Sequence, residues 1–412
     1  MSTPPAAPDS ASAWAPFASS GFRIVWSVAF SVAMCSAMND VAAGWLMTSM
    51  TASPLMVALI QTAATLPMFI FGLPAGATAD LVDRRKFLIF NQLWLTAVAL
   101  VACAALWADA MNAWVLLAVT FCGGLGVAMR FPGVSGTLPE TVTRAQLPQA
   151  LALNSVALNG ARVIGPGVAG VLIASVGTTA VYVTNAVVAV SGCIALLRWR
   201  RLAPAQPPPA TSLARAMLEG VRHVRHSREL RAVLGRTMMF FVHGIIGMAL
   251  LPLVAHRLDP GNPRALSVLF GAFGAGAVFV CIVVLPRLRL VMSPEKRLRN
   301  GSLVLGAALL VLSVSPWLWL SAPALFCAGV AWTGVGNTLT TQAQINLPPH
   351  MHARVASIYQ GFMMGSSAVG ATLWGWLASH VDLATTYQIA AVSLGSLAVL
   401  TYHPDAMRGA GR

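Results

Sequence analysis

Charge is what this sequence has little of. Only 9% of its 412 residues are Asp, Glu, Lys or Arg, and 12 of them are acidic. The 26 Lys and Arg still give a net charge of +14, in a chain that is 57% hydrophobic. A soluble domain that binds nucleic acid carries a dense basic face, which so few charges among long apolar runs cannot supply. We therefore predict no nucleic-acid partner.

Other absences argue against a pump that hydrolyses ATP and against a membrane enzyme. The sequence has no Gly-x-x-x-x-Gly-Lys-Ser/Thr loop for nucleotide phosphates. Its six cysteines lie in apolar runs without a Cys-x-x-Cys pair, so we interpret them as packing residues. The eight histidines are scattered, and the closest pair, His350 and His352, has no nearby acid or cysteine. We predict no catalytic site, no metal and no cofactor.

The long apolar runs indicate a membrane protein. A transmembrane helix needs about 20 mostly apolar residues, and the chain contains about twelve such runs. We predict an all-α polytopic membrane protein. The predicted spans are 22–48, 54–79, 87–108, 113–136, 149–174, 178–197, 237–256, 266–286, 299–315, 317–341, 353–378 and 383–403.

The positive charges fix an orientation for these spans. Two of the 26 Lys and Arg, Arg257 and Arg264, fall in odd-numbered loops, and Arg130 and Arg162 fall inside spans. The other 22 lie in the even-numbered loops and in or beside the two termini. Because cytoplasmic loops are enriched in Lys and Arg, this pattern predicts that both termini are cytoplasmic. It also requires an even number of spans.

The segments outside the spans differ in composition. Residues 1–21 are rich in Pro, Ala and Ser and lack the basic start of a cleavable signal peptide, so we predict a disordered cytoplasmic tail. A second tail covers 404–412. The basic, Pro-rich segment 198–236 is a cytoplasmic linker. Within it, 211–231 has the pattern of an amphipathic helix, which either lies on the inner leaflet or is a solvated linker helix.

The linker separates two halves that resemble each other. Phe-Cys-x-Gly occurs at 121–124 and again at 326–329. Such internal repeats are typical of secondary transporters, although chance in a Gly- and Leu-rich chain is the alternative. We predict two pseudo-symmetric six-helix bundles, 22–197 and 237–403.

The loop after the second span combines small, acidic and basic residues. Gly76 lets two helices approach, and two aspartates lie next to a basic triplet at the cytoplasmic surface. The loop resembles the signature loop of the major facilitator superfamily between its second and third helices. The resemblance implies the major facilitator fold and a conformational switch. The predicted switch residues are Gly76, Asp80, Asp83, Arg84 and Arg85, and Asp83 stands where that family usually has glycine.

The fifth span carries a second motif. Its Gly160, Gly165, Pro166 and Gly170 resemble the Gly-Pro motif of drug and metabolite exporters in the superfamily, with alanine at two positions where glycine is usual. Proline inside a helix removes a backbone hydrogen bond, and glycine allows close packing. We predict that these four residues form a helix-packing motif.

Longer stretches at 53–88, 138–142 and 152–155 resemble the branch that contains enterobactin exporters, and the likeness extends over about residues 20–400. It implies a monomeric secondary transporter in the bacterial inner membrane. It further implies proton-coupled export, as an antiporter, of a siderophore-like molecule, a drug or a metabolite. The partners are then the substrate, protons and the bilayer. An importer or a lipid flippase on the same fold, or a membrane-embedded enzyme, are the alternatives.

Acid inside the bilayer is costly and therefore a candidate for function. Asp40, beside Asn39, is the one acid that clearly lies inside a predicted span. By elimination it is the candidate proton-coupling group. It lies roughly 27 Å from the cytoplasmic start of its helix, within reach of Arg162 but hardly of Arg130. A static ion pair with Arg162, or a wetted position near the outer surface, are the alternatives.

Further polar and aromatic residues inside spans are candidates for the substrate cavity. In the superfamily, helices 1, 4, 7 and 10 line this cavity, which places Arg130 on it. Arg130 and Arg162 suit an anionic substrate, but Arg130 could instead snorkel to the headgroups and Arg162 could serve helix packing. His243 is uncharged at neutral pH, and a histidine in such a place is more often a core residue than a proton relay. The cavity candidates are Asn39, Arg130, Arg162, His243, Trp332 and Asn337.

Overall fold

A computed structural model of the chain describes residues 12–199, 222, 224–345 and 352–401. The described residues form helices and no strand. Eleven helical runs are long and apolar enough to cross a membrane. The helix over predicted span 353–378 has 27 residues but is not among the eleven. The all-helical fold is thus confirmed, and the count of twelve and the cytoplasmic termini stay predictions.

The first half contains six long helices, several of which begin at a capping side chain. Ser19 accepts a hydrogen bond from the Phe22 N–H, and Asn112 accepts one from the Trp114 N–H. Such caps satisfy N–H groups that lack a partner in the first helical turn. The helices are α1 (Ser20–Met50), α2 (Pro54–Leu81), α3 (Arg84–Trp107), α4 (Ala113–Thr137), α5 (Leu147–Ser175) and α6 (Thr178–Arg198).

Two spans of the second half are not continuous α-helices. The seventh breaks at Ile245 and at Leu250, and the eighth contains a π-helical segment, Val280–Val284. The helices are α7 (Arg228–Gly244), α8 (Ile246–Ala249), α9 (Leu251–Leu258), α10 (Pro263–Phe279), α11 (Leu285–Val291), α12 (Pro294–Val314), α13 (Leu318–Gln344), α14 (His352–Ala378) and α15 (Leu383–Thr401).

Some boundaries differ from those predicted. The seventh span begins at Arg228 instead of 237, because the Ser227 side chain caps the helix there. It therefore includes the end of the predicted amphipathic helix, most of which lies outside the described residues, as do 1–11 and the second tail. The Phe17 ring packs edge-on against Phe22 and Trp26. Ordered structure thus begins before residue 21.

Hydrogen bonds from polar side chains to backbone carbonyls join helices inside each half. In the first half, the Trp26 Nε1–H donates to the Leu153 carbonyl over 3.0 Å. In the second half, the Trp374 Nε1–H donates to the Val242 carbonyl over 2.7 Å. Because a bilayer interior offers no water, such polar groups need partners inside the protein.

The two halves pack together through α2 with α14 and through α5 with α10. The Thr62 and Thr372 hydroxyl groups lie 3.0 Å apart. Gly170 packs against Ser267, and Gly44 of α1 packs against Pro252 of α9. Gly44, Ser267 and Pro252 lie near the outer ends of their helices in the predicted orientation. If the predicted orientation holds, these contacts join the halves on the side away from the cytoplasm.

Candidate functional site

Arg162 of α5 lies at the centre of the candidate site. It interacts electrostatically with Asp40 of α1, Arg130 of α4 and Cys281 of the π-helical segment. Its side chain is nevertheless exposed. Arg162 therefore lies where α1 and α4 of the first half approach the π-helical segment of the second half.

Asp40 faces Arg162 from α1. The side chains of Asp40 and of its neighbour Asn39 are half-buried. Arg162 is the charged group that acts on Asp40, and Arg130 is not. The positions along the helices lead to the same expectation, namely that Asp40 can reach Arg162 but hardly Arg130. Among the described residues, no hydrogen bond or ion pair joins Asp40 to Arg162, so the two charges attract each other without direct contact.

Arg130 is held inside the first half. Its Nη1 donates to the carbonyl of Ala29 in α1 over 3.2 Å. Its Nε is buried and has no partner among the described residues. The Trp26 and Phe30 rings, which flank Ala29 in sequence, stack with centroids 5.6 Å apart. The guanidinium is thus directed at α1 instead of the lipid headgroups.

The second half contributes a cation that the sequence did not single out. Arg289 of α11 donates from Nη2 to the Asn337 Oδ1 of α13 over 2.7 Å. It also acts electrostatically on Cys281. Cys281, interpreted from sequence as a packing residue, is half-buried and lies in a π-helical segment, a feature frequent at functional sites. The eight-residue spacing of 281 and 289, about two turns, is the signal that could have linked them.

The two aromatic candidates of the second half have different surroundings. Trp332 packs edge-on against Phe241 with centroids 4.7 Å apart and remains half-exposed. His243 donates from Nδ1 to the Met239 carbonyl of its own helix over 2.7 Å, and its ring lies beside Trp374. The Nδ1 proton of His243 is thus used within the helix.

The described part of the predicted switch loop caps helices. Asp83 Oδ1 accepts from the Lys86 N–H over 3.0 Å at the start of α3. Arg85 donates from Nη2 to the Leu197 carbonyl over 2.7 Å, near the end of α6. A cation there also complements the helix dipole. The side chains of the other three switch residues, Gly76, Asp80 and Arg84, lie outside what the structure describes.

The Gly-Pro motif packs α5 at three of its four predicted positions. A Cβ atom at Gly165 would come within 2.7 Å of the Ala37 Cβ, and Gly170 is pressed against Ser267. Pro166 is buried inside the helix. Gly160 is a correction: a Cβ atom there would meet nothing within 4 Å. Because Gly160 faces open space, close packing does not require glycine there.

A separate groove of about 440 Å³ lies between α2, α3 and α4. Its lining is apolar, with Phe71, Phe87 and Phe90 among its residues and Lys86 as its cation. Arg162 and the residues linked to it electrostatically do not line the groove; these are Asp40, Arg130 and Cys281. The groove is therefore distinct from the surroundings of Arg162.

Comparison with known proteins identifies the family. A model of the family described as transmembrane secretion effector matches residues 11–408. The multidrug efflux pump Tap of Mycolicibacterium fortuitum is 25% identical over 84% of this chain and 86% of its own. The macrolide efflux protein A of Streptococcus pyogenes is 22% identical over 88% of this chain and 90% of its own.

Solved structures share the fold at low sequence identity. The nucleoside transporter NupG superposes with a TM-score of 0.78 at 9% identity, over 92% of this chain and 98% of its own. A bacterial homologue of the lysosomal transporter Spinster, inward-facing and unoccupied, gives 0.67 at 13% identity, over 92% of this chain and 93% of its own. The all-helical fold, the eleven apolar helices and these relatives make this protein a transporter of the bacterial inner membrane. The chain belongs to the transmembrane secretion effector family of the major facilitator superfamily.

Proposed function

We propose that this transporter exports a small organic molecule by alternating access and that Asp40 couples the export to protons. The relatives named above are efflux pumps, which supports export of a drug-like molecule or a metabolite. A siderophore-like substrate is the narrower form of the same proposal. The halves move about the contacts of α2 with α14 and of α5 with α10, and the monomer suffices for this cycle.

One observation carries the coupling role: Arg162 acts electrostatically on Asp40, but the two side chains do not pair directly among the described residues. A partly exposed carboxyl group that lies inside a span and near a cation can gain and lose a proton during a cycle. When Asp40 is neutral, Arg162 loses its counter-charge. Protonation thus changes the electrostatic energy of a side chain that lies between the two halves.

The test is efflux from cells or proteoliposomes with and without a protonophore. Fluorescent dyes and labelled macrolides are the first probes, because the relatives are named for drugs and macrolides. We expect the protonophore to abolish efflux by the native protein. Asp40→Asn should abolish the proton-dependent part, while exchange of substrate between equal concentrations on the two sides continues.

Asp109→Asn is the matched control. Asp109 is exposed and has a φ of 51°, a left-handed conformation that Asn tolerates. This variant removes the same charge outside the site and should transport normally. If Asp40→Asn retains protonophore-sensitive efflux, then Asp40 is a structural counter-ion and the coupling role is wrong. Efflux that is insensitive to the protonophore in the native protein would overturn proton coupling altogether.

A further inference from the structure

The apolar groove of about 440 Å³ on the first half has α4 as its floor. Its α2 and α3 walls include the exposed Phe71 and Phe90, whereas Leu125 and Met129 of α4 are half-buried. Glycines hold α4 against both walls. A Cβ atom at Gly124 would come within 2.6 Å of the Ala64 carbonyl oxygen of α2, and one at Gly133 would come within 2.8 Å of Leu88 of α3. The groove is therefore a gap between α2 and α3 over a helix that packs on both.

This groove opens outward, away from the second half. Its α3 wall packs against α4 and α6 of its own half, where Gln92 Nε2 donates to the Ala189 carbonyl over 3.0 Å. On α2, the Phe69 ring packs against Gly365 of α14. At 3.6 residues per turn, the groove residues Phe71 and Thr78 lie on the opposite side of α2 from Phe69. The groove therefore faces the surrounding bilayer.

The length and depth of the groove match one leaflet. It follows α2 from Phe71 to Val82, over roughly 16 Å, which is about half of the ~30 Å hydrocarbon core. In the predicted orientation this is the inner half. Lys86, in the first turn of α3, borders the groove near the connection between the two helices. An acyl chain along α2 would thus bring its headgroup to the level of Lys86.

Lys86 is the charged group that borders the groove. The Thr78 hydroxyl donates to the Pro74 carbonyl of its own helix over 2.8 Å. Asp83 accepts the backbone N–H of Lys86 as the cap of α3, and the Lys86 ammonium has no acceptor among the residues that the structure describes. Arg85, its neighbour, is directed at the Leu197 carbonyl. The charge of the groove therefore complements a ligand that is apolar along its length and negative at one end.

We propose that this groove binds one anionic phospholipid of the inner leaflet, with an acyl chain along α2 and the phosphate group on Lys86. An ammonium and a phosphate form a charge-assisted hydrogen bond, which is stronger than a neutral one. The volume lies within the ~300–1,000 Å³ of ligand pockets. The lipid site is separate from the Asp40 site and does not depend on the proposed coupling.

The experiment measures lipid binding to purified, delipidated, full-length protein by native mass spectrometry. The probes are dioleoyl phosphatidylglycerol, which is anionic, and dioleoyl phosphatidylethanolamine, which has no net charge. We expect one phosphatidylglycerol to be retained in preference to phosphatidylethanolamine. It should also raise the unfolding temperature, since a ligand of the native state stabilises that state. Glycerol 3-phosphate, which has the anionic group without the chains, should not displace it.

Lys86→Gln should weaken phosphatidylglycerol binding about fivefold, the effect of one basic residue near an anionic surface, and remove the preference between the two lipids. Lys296→Gln is the matched control. Lys296 is likewise the third residue of a helix, α12, and its N–H is capped by the Ser293 side chain, but it does not line the groove. This variant should bind phosphatidylglycerol as the native protein does.

Thr78→Trp fills the groove and should weaken the binding of both lipids more than about tenfold, because several methylene groups lose their place. Thr78→Val removes the hydroxyl without filling the groove and should bind normally. Leu125→Trp, which fills the groove from its floor, replaces Thr78→Trp if that variant does not fold.

Equal binding of phosphatidylglycerol by Lys86→Gln and Lys296→Gln, or by the filled variants and Thr78→Val, would overturn the lipid site. Displacement by glycerol 3-phosphate would show a simple anion site instead. Displacement by an efflux dye would assign the groove to a transported molecule and would likewise overturn the proposal. Because the readout is lipid binding, failure here leaves the proposed export untouched, and loss of protonophore-sensitive efflux would not affect the lipid site.

Discussion

Gly274 of α10 lies directly against the carbonyl group of Arg162 in α5, so that a Cβ atom at Gly274 would come within 2.6 Å of that oxygen. Pro166, four residues further along α5, has no N–H to donate to this carbonyl. The proline thus removes the usual helical donor to the oxygen that the glycine approaches. The arginine of the candidate site is therefore positioned by backbone contact between the two halves of the protein.

Gly274→Ala should weaken this contact. The added methyl group meets backbone instead of a flexible side chain, so the helices must separate, at a cost of about 1–3 kcal/mol. We expect spin labels on the outer ends of α5 and α10 to report a larger distance and transport to slow. Gly271→Ala is the control, because a Cβ atom at 271 meets nothing within 4 Å. Equal effects of the two substitutions would contradict the prediction.

The glycines of α5 should separate into two groups. Gly165→Ala and Gly170→Ala place a methyl group against Ala37 and Ser267, and each should lower the thermal unfolding temperature of the purified protein. Gly160→Ala and Gly167→Ala face open space. They should be neutral or stabilise the helix by about 0.5–1 kcal/mol, because alanine loses less backbone entropy. A destabilised Gly160→Ala would show that the open space closes in another state.

These glycines show what the sequence can and cannot predict. The apolar runs placed the helices well, since a span must be long and uncharged whatever its neighbours. The Gly-Pro motif predicted a packing role for α5, but it could not predict which glycines pack, because that depends on which face of α5 meets α1 and α10. Likewise, the start of the seventh span depends on a cap at Ser227 that hydropathy does not register.

Arg257 should stabilise the outer end of the second half. It donates from Nη1 to the Ser313 carbonyl over 3.0 Å and from Nη2 to the Leu312 carbonyl over 2.6 Å, at the end of α12. A cation there complements the helix dipole. Arg257→Gln should therefore cost about 1 kcal/mol, reduced by the exposure of the side chain, and lower the unfolding temperature. Arg264→Gln, in the same predicted outer loop, should have a smaller effect.

Asp382 should make the outer end of α15 sensitive to acid. Hydrogen bonds from the Thr385 hydroxyl and the Thr385 N–H hold the pKa of this carboxyl below its usual value. A carboxylate whose pKa is lowered by folding contributes stability above its unfolded pKa of about 4 and loses it as pH falls through the folded pKa.

The measurement is thermal unfolding of native protein and Asp382→Ala across pH. The difference between them should be constant at neutral pH and shrink below about pH 4. Thr385→Val removes only the hydroxyl and should give a smaller difference with the same pH trend. A difference that does not change in acid would mean that Asp382 is not favoured in its ionised form.

The proposed switch loop predicts that Asp80→Asn leaves insertion and folding intact and slows transport. The reason is that the loop is predicted to stabilise one end state of the cycle through ion pairs, which the loss of one charge would weaken. Asp83→Asn is the matched change, since Asn can cap α3 as Asp83 does. The measurement compares the initial rates of efflux of the two variants at equal surface expression. Normal rates in Asp80→Asn would remove Asp80 from the mechanism.

The site was predictable in part. Asp40 and Arg162 could be found because charge is rare in spans, and their separation follows from the rise of a helix. Arg289 and Cys281 were not singled out, since one counts as a cytoplasmic cation and the other as a small apolar residue. The proximity of Cys281 to Arg162 arises from the packing of α5 against α10, which belong to different halves and are distant in sequence.

The two breaks in the seventh span divide it into the long helix α7, the four-residue α8 and the short helix α9. Pro252, in the first turn of α9, rests on Gly44 of α1, while α7 is bound to α14 through the Trp374 indole. Ile245 and Leu250 separate these two attachments. α9 can therefore keep its contact with α1 while α7 tilts together with α14. The seventh span would then bend at Ile245 and Leu250 during the transport cycle instead of rotating as one rigid helix.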